Sequence, residues 1–438
     1  MMALTMVAVA IASLYVDPPE PTMLVFPPFG HCMGIYRAGT GELAVLLGGL
    51  VRFDDPQGLS CVKLDEWDDP TSSDDDELAV YGVNSGSSHV IYNATMYTLG
   101  FYGGEGSGPT QLMHPHGVAA EPSGGVYVAD TGNGRVVRLR REGQRMSPSS
   151  PLATGLSEPW DVALNGRGEI FVTDRAGSML LFFESPSDST PDTLCVDRPR
   201  GVGATGGERW SSRPDDFVVV VTGDGTGLLK LENLEPVASA SLSSCGGSCF
   251  NYLAIDYFGN VWVTDSVCCV IHKFDRDLDY LDSFGSPGTG DRELDGPTGI
   301  AIWERFGQVF VAEREGARYF WIGTDVRDWE LTETGRGFAL SFFVMETSTI
   351  LAEVTSPGGE LVYWPLNGRF PAGEVACEWD GVSFQGTEVP EGEYELSVTL
   401  KATYSSRNYF RKLLEDSFSI TEPPAPTERP ERAGRNGG

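Results

Sequence analysis

HPHGVAAEPSGGVYVADTGNGRVVRL, residues 114–139, holds three short apolar runs separated by two glycine turns. Gly124-Gly125 and Gly132-Asn133-Gly134 supply the positive-φ residues that tight hairpin turns require. Val126, Tyr127 and Val128 between them are strong strand formers. The stretch therefore predicts three antiparallel strands. A lone ribbon of three strands buries too little apolar surface to stand by itself, so the fold depends on whether the unit recurs.

It recurs. Glu158-Pro159-Trp160-Asp161-Val162-Ala163 leads through Asn165-Gly166-Arg167-Gly168 to Ile170–Asp174. Arg198-Pro199-Arg200-Gly201-Val202 leads, past a long polar insertion, to Val219–Gly223. Phe250–Ile255 precedes Val261–Asp265, and Gly296–Ala301 precedes Val309–Glu313. A degenerate copy starts at Pro56-Gln57-Gly58-Leu59 and reaches Leu78–Gly82. Anchored on the end of the second strand, the copies fall at 82, 130, 174, 223, 265 and 313. A period in the forties built from short strands is the signature of propeller blades. Six copies predict six blades closed into a ring. Leu99–Gly106 and Asp282–Gly285 read as outer strands crossing to the next blade. Glu42–Gly49, an apolar run without a blade of its own, is expected to be the strand that closes the last blade, removing a sheet edge.

The pattern Pro-x-Gly-Val-Ala followed by Gly-x-Val-Tyr-Val-Ala-Asp-Thr-Gly-Asn-x-Arg-Val resembles the NHL repeat. Residues 115–137 match it closely, 159–180 and 297–320 well, 250–274 at the strands, and 199–231 and 56–92 weakly. The resemblance implies a six-bladed β-propeller and says little about activity, because that fold hosts binding proteins and enzymes alike.

The period stops after Leu331. Phe338–Phe343, Ile350–Val354 and Glu360–Tyr363 alternate as strands, with turns at Ser356–Gly359 and Pro371-Ala372-Gly373. This predicts an antiparallel sandwich. Pro-Gly-Gly-Glu-Leu-Val, Pro-Ala-Gly, Trp-Asp-Gly and Val-Pro-x-Gly-x-Tyr resemble, in order, the Ig-like domain of the flagellar hook-assembly protein FlgD. Glu393 stands where that family usually carries Val. Domains of this kind often end exported bacterial proteins, so the resemblance implies export as a spacer or attachment module. The expected organisation is an all-β chain: a possible signal segment and extension at 1–28, a six-bladed β-propeller at 29–335, an Ig-like β-sandwich at 336–421, and a disordered Pro- and Gly-rich tail at 422–438.

Charge narrows the partners. Asp and Glu number 62 against 31 Lys and Arg, a formal net charge of −31 across 438 residues. Nucleic-acid binding needs a basic footprint, and an anionic membrane would repel this chain. No later run approaches the roughly 18 apolar residues of a membrane helix, so membrane insertion is not expected. MMALTMVAVAIASLYV at the start is apolar, and Ala10-Ile11-Ala12 resembles a signal-peptidase site; a buried strand is the other reading of that segment.

Chemistry is sparse. Cys245, Cys249, Cys268 and Cys269 fall in two clusters, and the expectation ranks a disulfide first, free thiols second and a metal third, because the spacing is not that of a zinc site. The Asp ending the second strand, at 130, 174 and 265 with Glu313 in place, recurs as a structural residue would. It is expected to accept hydrogen bonds from the following turn. Asp74–Glu77 reads as a solvated loop, and Asn93-Ala94-Thr95 is a glycosylation sequon. The NHL resemblance brings two enzyme precedents, an axial zinc held by three histidines in lyases and an axial calcium held by Glu, Asn and Asp in lactonases. Only His114 and His116 lie near such a position, from one blade, while Asp161 and Asn251 lack a Glu partner.

The residues entering the inner strands are Gln57, His116, Asp161, Arg200, Asn251 and Thr298, with Trp160 beside Asp161. They differ from blade to blade, as residues of a binding mouth do and structural residues do not. The expected function is that of an exported, non-enzymatic protein whose propeller face recognises a protein or glycan ligand without a cofactor. A lyase or lactonase with axial zinc or calcium is the alternative.

Overall fold

The second strands of the repeat copies include the most buried elements among the described residues. In Gly125–Asp130, Ile170–Asp174, Val261–Asp265 and Gln308–Glu313 every residue is buried. A strand buried on both faces must be covered on both faces, and period-two alternation sends its side chains to opposite neighbours. Val126 and Val128 pack with Tyr81, Val83 and Val90 of the preceding copy. Tyr127 and Ala129 pack with Val162, Ile170 and Val172 of the following one.

The computed structural model describes residues 22–27, 30–68, 77–208, 216–404 and 410–421. The candidate signal segment, Asp74–Asp76 and the tail 422–438 lie outside the described residues. The chain divides into two units, Met1–Gly323 with Tyr404–Phe410, and Thr324–Thr403 with Arg411–Gly438.

Among the described residues of the first unit, six antiparallel sheets follow one another along the chain. Their innermost strands are Pro56–Val62, Val118–Ala120, Pro159–Leu164, Val202–Thr205, Phe250–Ile255 and Ile300–Trp303. Each touches the next, and Ile300–Trp303 returns to Pro56–Val62, so the ring of this β-propeller is closed. Threonine hydroxyls stitch successive blades: Thr131 Oγ1 donates to Pro159 O at 2.6 Å, Thr173 Oγ1 to Arg200 O at 2.6 Å, Thr264 Oγ1 to Thr298 O at 2.6 Å and Thr298 Oγ1 to Pro56 O at 2.7 Å.

The sixth sheet borrows its closing strands from the start of the chain, but not from the expected residues. Leu24–Val25 and Arg37–Gly39 both pair with Gly316–Ile322, in the registers Leu24↔Ile322 and Ala38↔Ala317. Thr40–Leu46, inside the run expected to be the closing strand, is an α-helix. The Glu42 carboxylate accepts the Gly39 N–H at 3.0 Å, the N3 half of a capping box. Leu43 and Leu47, one turn apart, are buried with Val51, while Val45 points to solvent. Gly48 and Gly49, at φ 63° and 75°, end the helix.

The second unit starts earlier than expected, because Val326–Glu333 pairs with Phe338–Val344 and belongs to the sandwich. The sixth blade needs no further strand from that side, its outer place being filled by Leu24–Val25. The sandwich faces a three-stranded sheet (Val326–Glu333, Phe338–Val344, Gly373–Trp379) with a four-stranded one (Leu361–Phe370, Ser348–Thr355, Gly392–Ala402, Lys412–Ile420). Alternate residues Phe338, Leu340 and Phe342 meet Ile350, Ala352, Leu396 and Val398 in one core.

Candidate functional site

The carboxylates that end the second strands fix the loops around the ring's upper face, where the inner strands begin. Asp174 accepts backbone N–H groups of Ser157 (2.9 Å), Glu158 (2.7 Å) and Gly177 (3.1 Å). Asp130 accepts from Met113 N at 2.7 Å and Arg135 Nε at 2.7 Å, and Glu313 from Asp295 N at 3.0 Å. These groups bind the segment arriving from the previous blade as well as the turn that follows.

Above them the inner-strand residues converge. The true register of the copies is Pro-x-Gly, which puts Trp160, not Asp161, level with Gln57, His116, Arg200, Asn251 and Thr298. Asp161 and Tyr252 occupy the glycine position that Gly58, Gly117, Gly201 and Gly299 fill elsewhere. In those four copies glycine is required because the backbones crowd the axis. A Cβ on Gly117 would lie 2.3 Å from Asp161 Oδ1, and one on Gly299 would lie 2.2 Å from Gln57 O.

Asp161 and Tyr252 turn that crowding into a plug. Asp161 is buried; its Oδ1 accepts the Val162 N–H at 2.9 Å and its Oδ2 the Val202 N–H of the next blade at 3.0 Å. Burial raises its carboxyl to about 7, with the two backbone donors opposing the rise. Tyr252, equally buried, donates its hydroxyl to Gln57 Oε1 across the ring at 3.2 Å. A cavity of about 620 Å³ begins one residue beyond this level and opens at the lower face, where the inner strands end. Its wall is Leu59, Val118, Val162, Val202, Leu253 and Ile300, and charged residues, Lys63, Glu121, Arg167 and Arg305 among them, stand towards its opening.

On the upper face four of the six inner-strand residues meet the residue that follows the strand-end position of their own blade. His116 Nδ1 lies 3.0 Å from Thr131 Oγ1, the Arg175 guanidinium sits 4.9 Å over the Trp160 ring, Arg200 Nε donates to Asp224 Oδ1 at 2.9 Å, and Asn251 Nδ2 to Ser266 Oγ at 2.7 Å. Contacts between blades make one sector continuous. The His116 and Trp160 ring centroids are 4.0 Å apart, Arg200 lies 5.6 Å over the same indole, and Arg200 Nη1 reaches Asn251 Oδ1 at 3.0 Å. Asp224 gathers Arg175 (2.8 Å), Arg198 (2.8 Å) and Arg200 (2.9 Å). Hydrogen bonding from Arg175, with the Arg200 charge adding to it, holds its carboxyl down to about 2. Burial lowers the His116 imidazole to about 4, so it is neutral at physiological pH. Trp160 Nε1 makes no hydrogen bond. The sector is thus an aromatic platform flanked by three guanidinium groups on an acidic protein.

Arg175, Arg198, Asp224 and Tyr252 were not among the sequence candidates. A signal for three of them exists: Arg175 and Asp224 directly follow the strand-end anchors 174 and 223, and Tyr252 breaks the Pro-x-Gly register. Thr298 is half-buried and spent on stitching the sixth blade to the first.

The axial residues do not fit the metals that the NHL resemblance brings. Both Asp161 oxygens accept backbone N–H groups, the Asn251 amide is shared between Arg200 and Ser266, and His116 Nδ1 lies 3.0 Å from the His114 carbonyl. The four clustered cysteines are free thiols. Cys249 Sγ lies 3.1 Å from Arg200 Nη1, and Cys268 Sγ 3.1 Å from Ser248 Oγ. Asn93 of the sequon is buried, accepting Val80 N–H at 2.7 Å and donating to Leu78 O at 2.8 Å, which makes it a strand-pairing residue.

Residues 112–139 match the NHL repeat family. No curated protein matches the chain. Among solved structures the chain is similar to virginiamycin B lyase from Staphylococcus aureus, at 12% identity and a TM-score of 0.40 over 56% of this chain and 76% of that one. It is similar to a gluconolactonase from Xanthomonas campestris, at 13% identity and 0.45 over 70% and 99%. It is also similar to PorZ, a surface component of the type-IX secretion system of Porphyromonas gingivalis, at 14% identity and 0.42 over 80% of this chain and 51% of that one, so it spans about half of PorZ's length. No helix among the described residues is long and apolar enough to cross a membrane.

Proposed function

We propose that this is an exported, non-enzymatic binding protein whose upper propeller face takes a protein or glycan ligand against Trp160, Arg175, Arg198 and Arg200. The observation that carries the reading is the indole of Trp160 under two guanidinium groups, beside the ion-paired Asp224. Trp and Arg dominate binding hot spots because each offers a large desolvated contact together with directional donors. Arg forks pair with carboxylates, so ligands carrying a carboxylate, acidic glycans or acidic peptides, suit this sector best. The FlgD-like motifs of the sandwich support its use as a spacer or attachment module, and with it an extracytoplasmic location.

The lower-face cavity favours a second reading, in which a ligand with an apolar body enters at the other end of the ring. Glycan and peptide arrays probed with the full chain test both. For a ligand so found, Trp160→Ala is expected to weaken binding more than tenfold, about 2 kcal/mol, while Ala120→Trp, which fills the lower cavity, leaves it unchanged. The reverse pattern moves the site to the lower face, and no binding on any array contradicts the proposal. One equivalent of tightly held zinc or calcium, lost in Asp161→Asn, would favour the lyase or lactonase reading instead.

A further inference from the structure

His272 is buried, and neither of its ring nitrogens makes a hydrogen bond. A buried imidazole without partners costs free energy unless something nearby repays it. Its Nε2 lies 3.7 Å from Asp265 Oδ2, the distance of an ion pair rather than of a hydrogen bond. On the same side stands Cys245, whose Sγ lies 3.6 Å from Leu242 O: a Cβ built on Gly247 would lie 3.1 Å from His272 Nε2 and 3.2 Å from Cys245 Sγ, so glycine keeps the space beside both atoms free. The rest of the surroundings is aromatic, with the rings of Phe250 and Tyr280 at 5.8 and 6.3 Å.

Asp265 is an ionised anchor. It accepts backbone N–H groups from Ser248 (2.5 Å), Cys249 (3.0 Å), Val267 (3.0 Å) and Cys268 (2.9 Å). Burial opposes its charge, but His272 and these donors outweigh it and hold the carboxyl well below the usual carboxylate range. Burial likewise opposes charge on His272, and Asp265 and Cys245 together overcome it, lifting the imidazole to about 9. The titratable groups facing His272 are Asp265 from the second strand of the blade, Cys245 from the helix Leu242–Cys245, and Tyr280 from the outer strand. Cys245 is half-buried among exposed Ser243, Ser244 and Gly246, so a small reagent can reach it.

We propose that Cys245 is a thiol–disulfide exchange site for low-molecular-weight disulfides, with His272 holding the proton that the departing thiol carries away and Asp265 positioning His272. The Cys245 sulfur attacks one sulfur of the small disulfide. A new S–S bond forms to Cys245, the S–S bond of the reagent breaks, and its electron pair leaves on the second sulfur. That thiolate takes the proton held on His272 and departs as a thiol, while Cys245 attacks as the thiolate. Cys245 is oxidised to a mixed disulfide, and half of the small disulfide is reduced. An imidazolium beside the sulfur favours the nucleophilic thiolate form.

The test uses the reduced full-length protein and oxidised glutathione, with the modification rate of every cysteine read by peptide mass spectrometry. Exposed Cys195 serves as the reference within the same sample. Cys245 is expected to react at least tenfold faster than Cys195 at pH 7. Between pH 8 and pH 6 its rate is expected to fall less than tenfold, where an unassisted thiol loses about a hundredfold. His272→Asn is expected to slow Cys245 at least tenfold and leave Cys195 unchanged. The proposal is overturned if Cys245 reacts no faster than Cys195, if both lose rate alike as pH falls, or if a folded His272→Asn protein keeps the Cys245 rate. The wild-type pH profile decides the matter alone should that variant not fold.

Discussion

Asp161 shows how one residue changes what a repeat does. Four blades carry glycine at its position, and the carboxyl it places on the axis is buried against two backbone N–H groups. Its folded carboxyl titrates at about 7, above its unfolded value, so between pH 4 and 7 the native state binds the proton more tightly than the unfolded chain does. Stability from this group therefore falls as pH rises through that window, by about 4 kcal/mol in total, and changes no further above it. Chemical denaturation at pH 4, 5.5 and 7 is expected to show this decline in the wild type and not in Asp161→Asn; equal slopes in both would refute the assignment. The strand-end carboxylates matter through the backbone hydrogen bonds they accept. Asp174→Ala orphans the N–H groups of Ser157, Glu158 and Gly177 and is expected to cost about 3 kcal/mol, read as a lowered urea midpoint at unchanged slope.

At the scale of elements, the sequence carries much of the blade pattern and less of its closure. Runs such as Val126-Tyr127-Val128 and Val261-Trp262-Val263 leave no doubt about strand type, because β-branched and aromatic residues are bounded by turn glycines. Glu42–Gly49 misleads because Leu43, Leu46 and Leu47 suit a buried strand and a one-sided helix equally; the Glu42 cap and the Gly48-Gly49 stop decide for the helix. Leu24–Val25 is too short for any pattern to announce it, and its place is set by the open edge of Gly316–Ile322. If that pairing holds, cysteines in place of Leu24 and Ile322 are opposed closely enough to bridge. Mild oxidation of the Leu24→Cys/Ile322→Cys protein is expected to form that bridge and raise Tm by about 5 °C; peptide mapping that finds no such disulfide would show that the ring is closed by other residues.

Over the whole molecule, what escapes the sequence is the joining of loops from different blades. Arg175 and Asp224 are 49 positions apart, and only the ring makes them neighbours. The inner-strand residues were legible as a converging set because they differ among otherwise similar copies. Their register was not, since Pro159-Trp160-Asp161 lacks the glycine that marks it elsewhere. The ring also shows which end of the axis is open: Asp161 and Tyr252 lie buried beneath the upper face, so a ligand bound there as proposed would rest on Trp160 and the guanidinium groups instead of entering a channel. Hydrogen–deuterium exchange, with and without a ligand selected from the arrays, tests this most directly. Slowed exchange confined to residues 158–161, 173–177, 197–201 and 222–226 is the predicted result. Protection that instead appears at 120–123, 164–168 and 303–305, around the lower cavity, would contradict it.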